Sequence, residues 1–205
     1  MDLTATQIVA DDWAVGARLA ELGVSREKLL EVVDTAVAAA ADATPFHPSN
    51  AAGTFAYQYG TFALRNAFVG EDWTTDRTYQ LEAIRNDALN VRVTYSNVDV
   101  ATNHEFGPKP RSRKGAGAER ACQGYLLEGL PQYAQVSDDD TATYYLMVDS
   151  QGAAELTRPV VKNGTFHAYV ERIFLRGPDD DERVSQFEPD TEVDGDFQPT
   201  VVRKA

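Results

Sequence analysis

Glu155-Leu156-Thr157-Arg158-Pro159-Val160-Val161-Lys162-Asn163-Gly164-Thr165-Phe166-His167-Ala168-Tyr169-Val170-Glu171-Arg172 decides the fold class. Two runs rich in β-branched and aromatic residues flank Asn163-Gly164, and Asn-Gly supplies the two positive-φ residues of a type I′ hairpin turn. That turn sets a register in which Lys162 faces Thr165, Val161 faces Phe166, Pro159 faces Ala168, Thr157 faces Val170 and Glu155 faces Arg172. This mostly apolar set is expected to enter the core. The opposite face, pairing Val160 with His167, Arg158 with Tyr169 and Leu156 with Glu171, is expected at solvent or in a polar site. There Arg158 would sit over Tyr169 as a cross-strand cation–π pair, and His167, Arg158, Tyr169 and Lys162 could hold a small anion. Pro159 donates no ladder hydrogen bond, so its strand is expected at an edge or bulged.

Upstream of the hairpin, Tyr144 to Val148 reads as an antiparallel neighbour joined through Ser150-Gln151-Gly152. Leu89 to Ala101 alternates Leu89, Val91, Val93 and Tyr95 against Asn90, Arg92 and Thr94, the period of a half-buried strand. The first third is helical by spacing. Ile8, Val15, Leu19 and Leu22 share a face; Leu29, Val33, Ala36 and Val37 share another behind a Ser25 N-cap, and the short link between these helices implies an antiparallel pair. A third helix, about Ser49 to Phe68, carries Phe55, Tyr59 and Phe62 on a stripe expected in the core. The fold class is therefore α+β: an N-terminal helical layer on a mostly antiparallel sheet that ends in the hairpin. Residues 1–176 form one domain. Residues 177–205 form an acidic appendage, in which 177–198 hold nine acidic side chains and one Arg.

At 205 residues with 43% hydrophobic and 10% aromatic side chains, the chain can fill one core, which excludes whole-chain disorder. A net charge of -13 repels nucleic acid and anionic membrane over most of the surface. No apolar run approaches the roughly 20 residues of a membrane span, and Met1-Asp2-Leu3-Thr4 lacks the basic start of a secretory signal, so a cytoplasmic location is expected. Cys122 is alone, which excludes an internal disulfide and a Cys-rich zinc site.

Residues 107–120 stand against that charge. Gly-Pro-Lys-Pro-Arg-Ser-Arg-Lys-Gly-Ala-Gly-Ala-Glu-Arg is a loop by its Gly and Pro content, and five basic side chains against Glu119 leave it at +4. Lys109, Arg111, Arg113, Lys114 and Arg120 are candidate phosphate ligands. Gly115 and Gly117 would let backbone N–H groups approach the anion, at the start of a helix from about Ala118 to Leu130. The expected function is binding of a phosphate-bearing ligand or nucleic acid through this loop.

Two alternatives accompany it. The first is an assembly or protein-interaction subunit, a homo-oligomer or a hetero-complex, using the basic loop, the hairpin edge and the acidic tail. The second is a metal-dependent phosphodiesterase in which Asp99, Asp149 and Glu155, near strand ends, converge on magnesium. Without that alternative no cofactor or metal is expected, because His47, His104 and His167 are far apart and no phosphate-loop, dinucleotide or nucleophile-elbow motif occurs. Asp190-Thr-Glu-Val-Asp-Gly opens like a calcium loop but lacks its closing Glu.

Overall fold

A computed structural model of the chain describes residues 6–123 and 141–178. In chain order the elements are β1 (Gln7–Val9), α1 (Asp12–Glu21), α2 (Arg26–Ala41), α3 (Ala51–Phe68), β2 (Thr74–Asp76), a 3-10 turn (Thr78–Gln80), β3 (Ala83–Asn86), β4 (Val91–Asn97), α4 (Ala116–Gln123), β5 (Ala142–Val148), β6 (Ala154–Lys162) and β7 (Thr165–Arg176). The strands form one sheet, ordered β1-β7-β6-β5-β4-β3-β2. Pairs β1–β7 and β4–β5 are parallel and the remaining four are antiparallel. The α+β class and the mostly antiparallel sheet hold. The acidic segment beyond residue 178, the calcium-like stretch and the distal part of the 118–130 helix lie outside the described residues.

One face of the sheet packs on the helices. Ser25 caps α2, its Oγ accepting from the Lys28 N–H at 3.3 Å, and Leu29, Val32, Val33 and Ala36 of α2 are fully buried. The helix pair that packs closely is α2 with α3, rather than α1 with α2. Ile8 is not helical: Gln7–Val9 form a short strand beside β7. The α3 stripe also inverts. Tyr59 and Phe62 are 51% and 61% exposed, while Ala56, Gly60, Ala63 and Leu64 face the sheet. The reason is steric: the Tyr95 ring fills the space where a Gly60 side chain would project, so the helix must present small residues there.

The other face is buried as well. Tyr145, Met147, Val161 and Phe166 pack beneath Ala118 of α4 and the segment that follows β4. Both faces being covered explains why Arg92 and Thr94, on the polar side of the expected alternation, are 0% and 3% exposed, and why Ser96 beyond them is 1% exposed. Arg92 is satisfied there by Asp76, Nε to Oδ2 at 2.5 Å, and by Thr143 Oγ1 at 3.2 Å. Burial raises the Asp76 pKa, but hydrogen bonds from Thr78 and Arg92 outweigh it and hold the carboxyl below its usual range.

The hairpin turn forms at Asn163 and Gly164, with φ of 56° and 77°. Lys162–Thr165 and Val161–Phe166 pair as expected, and then the register slips. Val160 meets Ala168, Pro159 meets Tyr169, Arg158 meets Glu171, Thr157 meets Arg172, Leu156 meets Ile173 and Glu155 meets Phe174. Bulges on β7 insert His167 and then Val170 as extra residues, and each insertion shifts every later partner. Pro159 sits beside one of these bulges, and its strand is central, with β5 on one side and β7 on the other. Leu156, expected at solvent, is fully buried against the helices. Tyr169 packs with Arg172 rather than Arg158, the guanidinium carbon lying 5.7 Å from its ring centre.

Candidate functional site

The most legible turn of the sequence also anchors the basic loop. The Lys114 N–H donates to the Gly164 carbonyl at 2.9 Å, and the Gly164 N–H donates to Glu119 Oε1 at 2.9 Å. The hairpin tip therefore clamps the loop to the first turn of α4. The stem of Arg113 lies across Gly164, where a Cβ would collide with its Cγ. Upstream, the Arg111 N–H donates to Asn97 O at 3.1 Å and the Asp99 N–H to Lys109 O at 3.0 Å, so 109–111 run alongside the end of β4.

This anchoring splits the basic set. Arg113, Lys114 and Arg120 line a cavity of about 410 Å³ bounded by Tyr57, Tyr79, Glu82, Tyr145 and the backbone from Gly115 to Ala118. Arg111 lines a separate, mostly apolar cavity of about 310 Å³ between α2, α3 and the sheet. Lys109 lines neither. Among the described residues, none of these five cations lies in a salt bridge with a carboxylate. Glu82, the acid on the cavity wall, is already spent: Arg65 Nη2 contacts its Oε2 at 2.5 Å and Arg77 Nε at 3.3 Å. The Arg65 hydrogen bond, ahead of the opposing burial, lowers the Glu82 pKa.

Lys114 turns inward. Its Nζ donates to Ser96 Oγ at 2.7 Å and lies 5.3 Å from the centres of both the Tyr145 and Phe166 rings. Burial pulls its pKa down to about 8. Tyr145 Oη is buried and takes no nitrogen or oxygen partner; the Cys122 thiol lies beside it as a hydrogen-bonding neighbour. The Cys122 thiol is pushed up to about 12 by the same burial, which keeps it protonated and inert.

Tyr79 supplies strain. Tyr79 and Gln80 are consecutive non-glycine residues at φ of 60° and 61°, a conformation costing roughly 1–2 kcal/mol each. The Tyr79 ring packs against the guanidinium carbons of Arg92 at 5.6 Å and Arg120 at 5.8 Å. Gly117 is the close-approach glycine of the site, because a Cβ there would collide with the Tyr79 carbonyl oxygen. It is a packing glycine that lets α4 reach the 3-10 turn. Gly115 has open space around it and is the one that leaves backbone accessible from the cavity.

Asp99, Asp149 and Glu155 do not converge. Asp99 Oδ1 accepts from the Val100 and Lys109 N–H groups at 2.8 and 2.7 Å. Asp149 accepts from Ala101, Gln151 and Ala153, the turn-forming use of an aspartate before Ser-Gln-Gly. Glu155 is fully buried and paired with Arg172. Among the described residues no group of three His, Cys, Asp or Glu could hold a metal.

Comparison with protein-family models, curated proteins and solved structures found no match. No relative lends this cavity a chemistry. Among the described residues no helix is long and apolar enough to cross a membrane. Local charge singled out Arg113, Lys114 and Arg120 as candidates but not Tyr57, Tyr79, Ser96 or Tyr145, which come from elements distant in the chain. The signal available was Tyr144-Tyr-Leu-Met-Val148, an unbroken apolar run that implies a strand covered on both faces.

Proposed function

We propose that this chain binds a phosphate-bearing ligand in the cavity between the basic loop, α4 and β4. The observation that carries the proposal is the convergence of Arg113, Lys114 and Arg120 on one concave site, with no carboxylate neutralising them among the described residues. Arg113 and Arg120 offer forked donors from the rim and Lys114 a point charge at the base. A cavity of about 410 Å³ falls within the range of small-molecule sites. Its concavity within a molecule of net charge -13 favours a compact ligand over an extended polyanion, which the remaining surface repels.

Calorimetric titration with a nucleoside monophosphate, inorganic phosphate and a short single-stranded oligonucleotide, at low and moderate salt, tests this. The monophosphate is expected to bind and to weaken as salt rises. Absence of binding by every phosphate compound at low salt would remove the proposal, and preference for the oligonucleotide would move it to nucleic acid.

A second reading, self-assembly, draws on a different observation. Trp13, Tyr59 and Phe62 are 80%, 51% and 61% exposed, and large exposed aromatics commonly mark contact surfaces. The hairpin contributes little, since β1 covers the outer edge of β7 at Glu171–Ile173. Light scattering is expected to show an oligomer that a Tyr59→Asp, Phe62→Asp double variant dissociates; a monomer at high concentration contradicts it.

A further inference from the structure

We propose that Lys114 is a nucleophilic amine that condenses reversibly with an aldehyde or ketone on the bound phosphate compound, so that the cavity takes phosphorylated carbonyl compounds. This rests on the phosphate reading above for its specificity and on Lys114 itself for its chemistry.

The geometry sets Lys114 apart from the other four lysines of the chain. Its Nζ is drawn off the surface, hydrogen-bonded to a neutral hydroxyl, Ser96 Oγ, at 2.7 Å, and flanked by two aromatic rings. Among the described residues no carboxylate pairs with it. A structural lysine inside a fold is ordinarily held by a carboxylate, because a buried ammonium without one is costly. Ser96 Oγ gives its own proton to the Asn97 carbonyl at 3.2 Å and accepts from Lys114, a bond that a neutral amine N–H can supply as well as an ammonium. With the pKa near 8, roughly one amine in ten is unprotonated at neutral pH, against roughly one in three thousand for an ordinary lysine. The two ring contacts favour the cation and limit this gain without reversing it.

Tyr145 lines the same cavity, and its buried Oη takes no nitrogen or oxygen partner, with the Cys122 thiol as its neighbour. A phenol kept protonated by burial is a donor for the oxygen of a carbonyl compound, and Tyr145 is pushed well above its ordinary value by that burial. The step balances without an oxidant. The Lys114 nitrogen lone pair attacks the carbonyl carbon, the carbonyl oxygen takes a proton, and the carbinolamine loses water as the C=N bond forms. Arg113 and Arg120, on the rim, would hold the phosphate away from the amine.

Pyridoxal phosphate and pyridoxal are the probes. The full chain is incubated with each, reduced with borohydride and mapped by peptide mass. Pyridoxal phosphate is expected to modify Lys114 ahead of Lys28, Lys109, Lys162 and Lys204, at least about tenfold faster than pyridoxal does. Arg113→Ala with Arg120→Ala should erase the difference between the probes, and Lys114→Arg should abolish the fast reaction while circular dichroism stays unchanged. Equal, fast modification of Lys114 by both probes would uphold the amine and defeat the phosphate reading. Modification spread evenly over the lysines would overturn the inference, even if inorganic phosphate still bound.

Discussion

Replacing Arg113 and Arg120 together by alanine is expected to weaken binding of a phosphate monoester by at least about a hundredfold, since each guanidinium supplies charge-assisted hydrogen bonds worth about 1.5–3 kcal/mol. The fold should survive. The loop is pinned by the Lys114 N–H on Gly164 and by Glu119 on the same turn, contacts that need neither Arg side chain. Replacing Lys109 and Arg111 by alanine removes the same formal charge from the same loop, yet these residues face elsewhere. That variant should lose less than about tenfold, the scale of screened charges acting at a distance. The contrast between the two double variants separates a built cavity from a diffuse basic loop. Equal losses in both would mean that local charge alone drives binding.

The largest stability effect is expected on the same sheet face, at Glu155 and Arg172. Glu155 is fully buried, and Arg172 reaches it with Nε on Oε1 at 2.9 Å and Nη2 on Oε2 at 2.6 Å. The remaining lone pairs of Glu155 are filled by the Thr102 N–H at 2.7 Å and the Thr157 hydroxyl at 2.6 Å. Arg172 also donates through Nη1 to the carbonyls of Asn103 and Phe106, tying down the segment after β4. Arg172→Met strands the carboxylate and should cost about 3–5 kcal/mol, which for a domain of this size lowers Tm by roughly 6–20 °C. Glu155→Gln combined with Arg172→Met should recover a substantial part of that loss, because the uncompensated charge is gone. Calorimetry on the three proteins measures it. Near-native stability of Arg172→Met would show that the pair is dispensable. An active-site carboxylate would behave in the opposite way, its neutralisation leaving stability unchanged or improved.

How much of this was legible depends on the length scale of the signal. The Asn163-Gly164 turn is a local instruction and formed where the sequence placed it. Register beyond the first two pairs was not local: the bulges at His167 and Val170 arise where β7 must present Tyr169, Arg172 and Phe174 to one face and Ile173 and Leu175 to the other. The outward turn of Tyr59 and Phe62 followed from Tyr95, some thirty residues on, claiming the interior first. β1 has only three residues and exists because β7 offers it an edge, so its own sequence carries no strand signal. At the candidate site, charge in 107–120 singled out the segment, but side-chain direction decided which of its cations line one cavity. Arg113 and Lys114 are adjacent in sequence to Arg111 and Ser112, and only contact with the hairpin tip turns the former pair toward α4.

The most direct measurement is a nuclear magnetic resonance titration of backbone amides with a phosphate monoester, using chloride at matched ionic strength as the control. Saturable shifts should concentrate at Arg113 to Arg120, with smaller ones at Tyr79 and Ser96, and vanish in the Arg113→Ala, Arg120→Ala protein. Shifts that never saturate, or that spread over Lys109, Arg111 and the remaining basic surface alike, would contradict a built phosphate site.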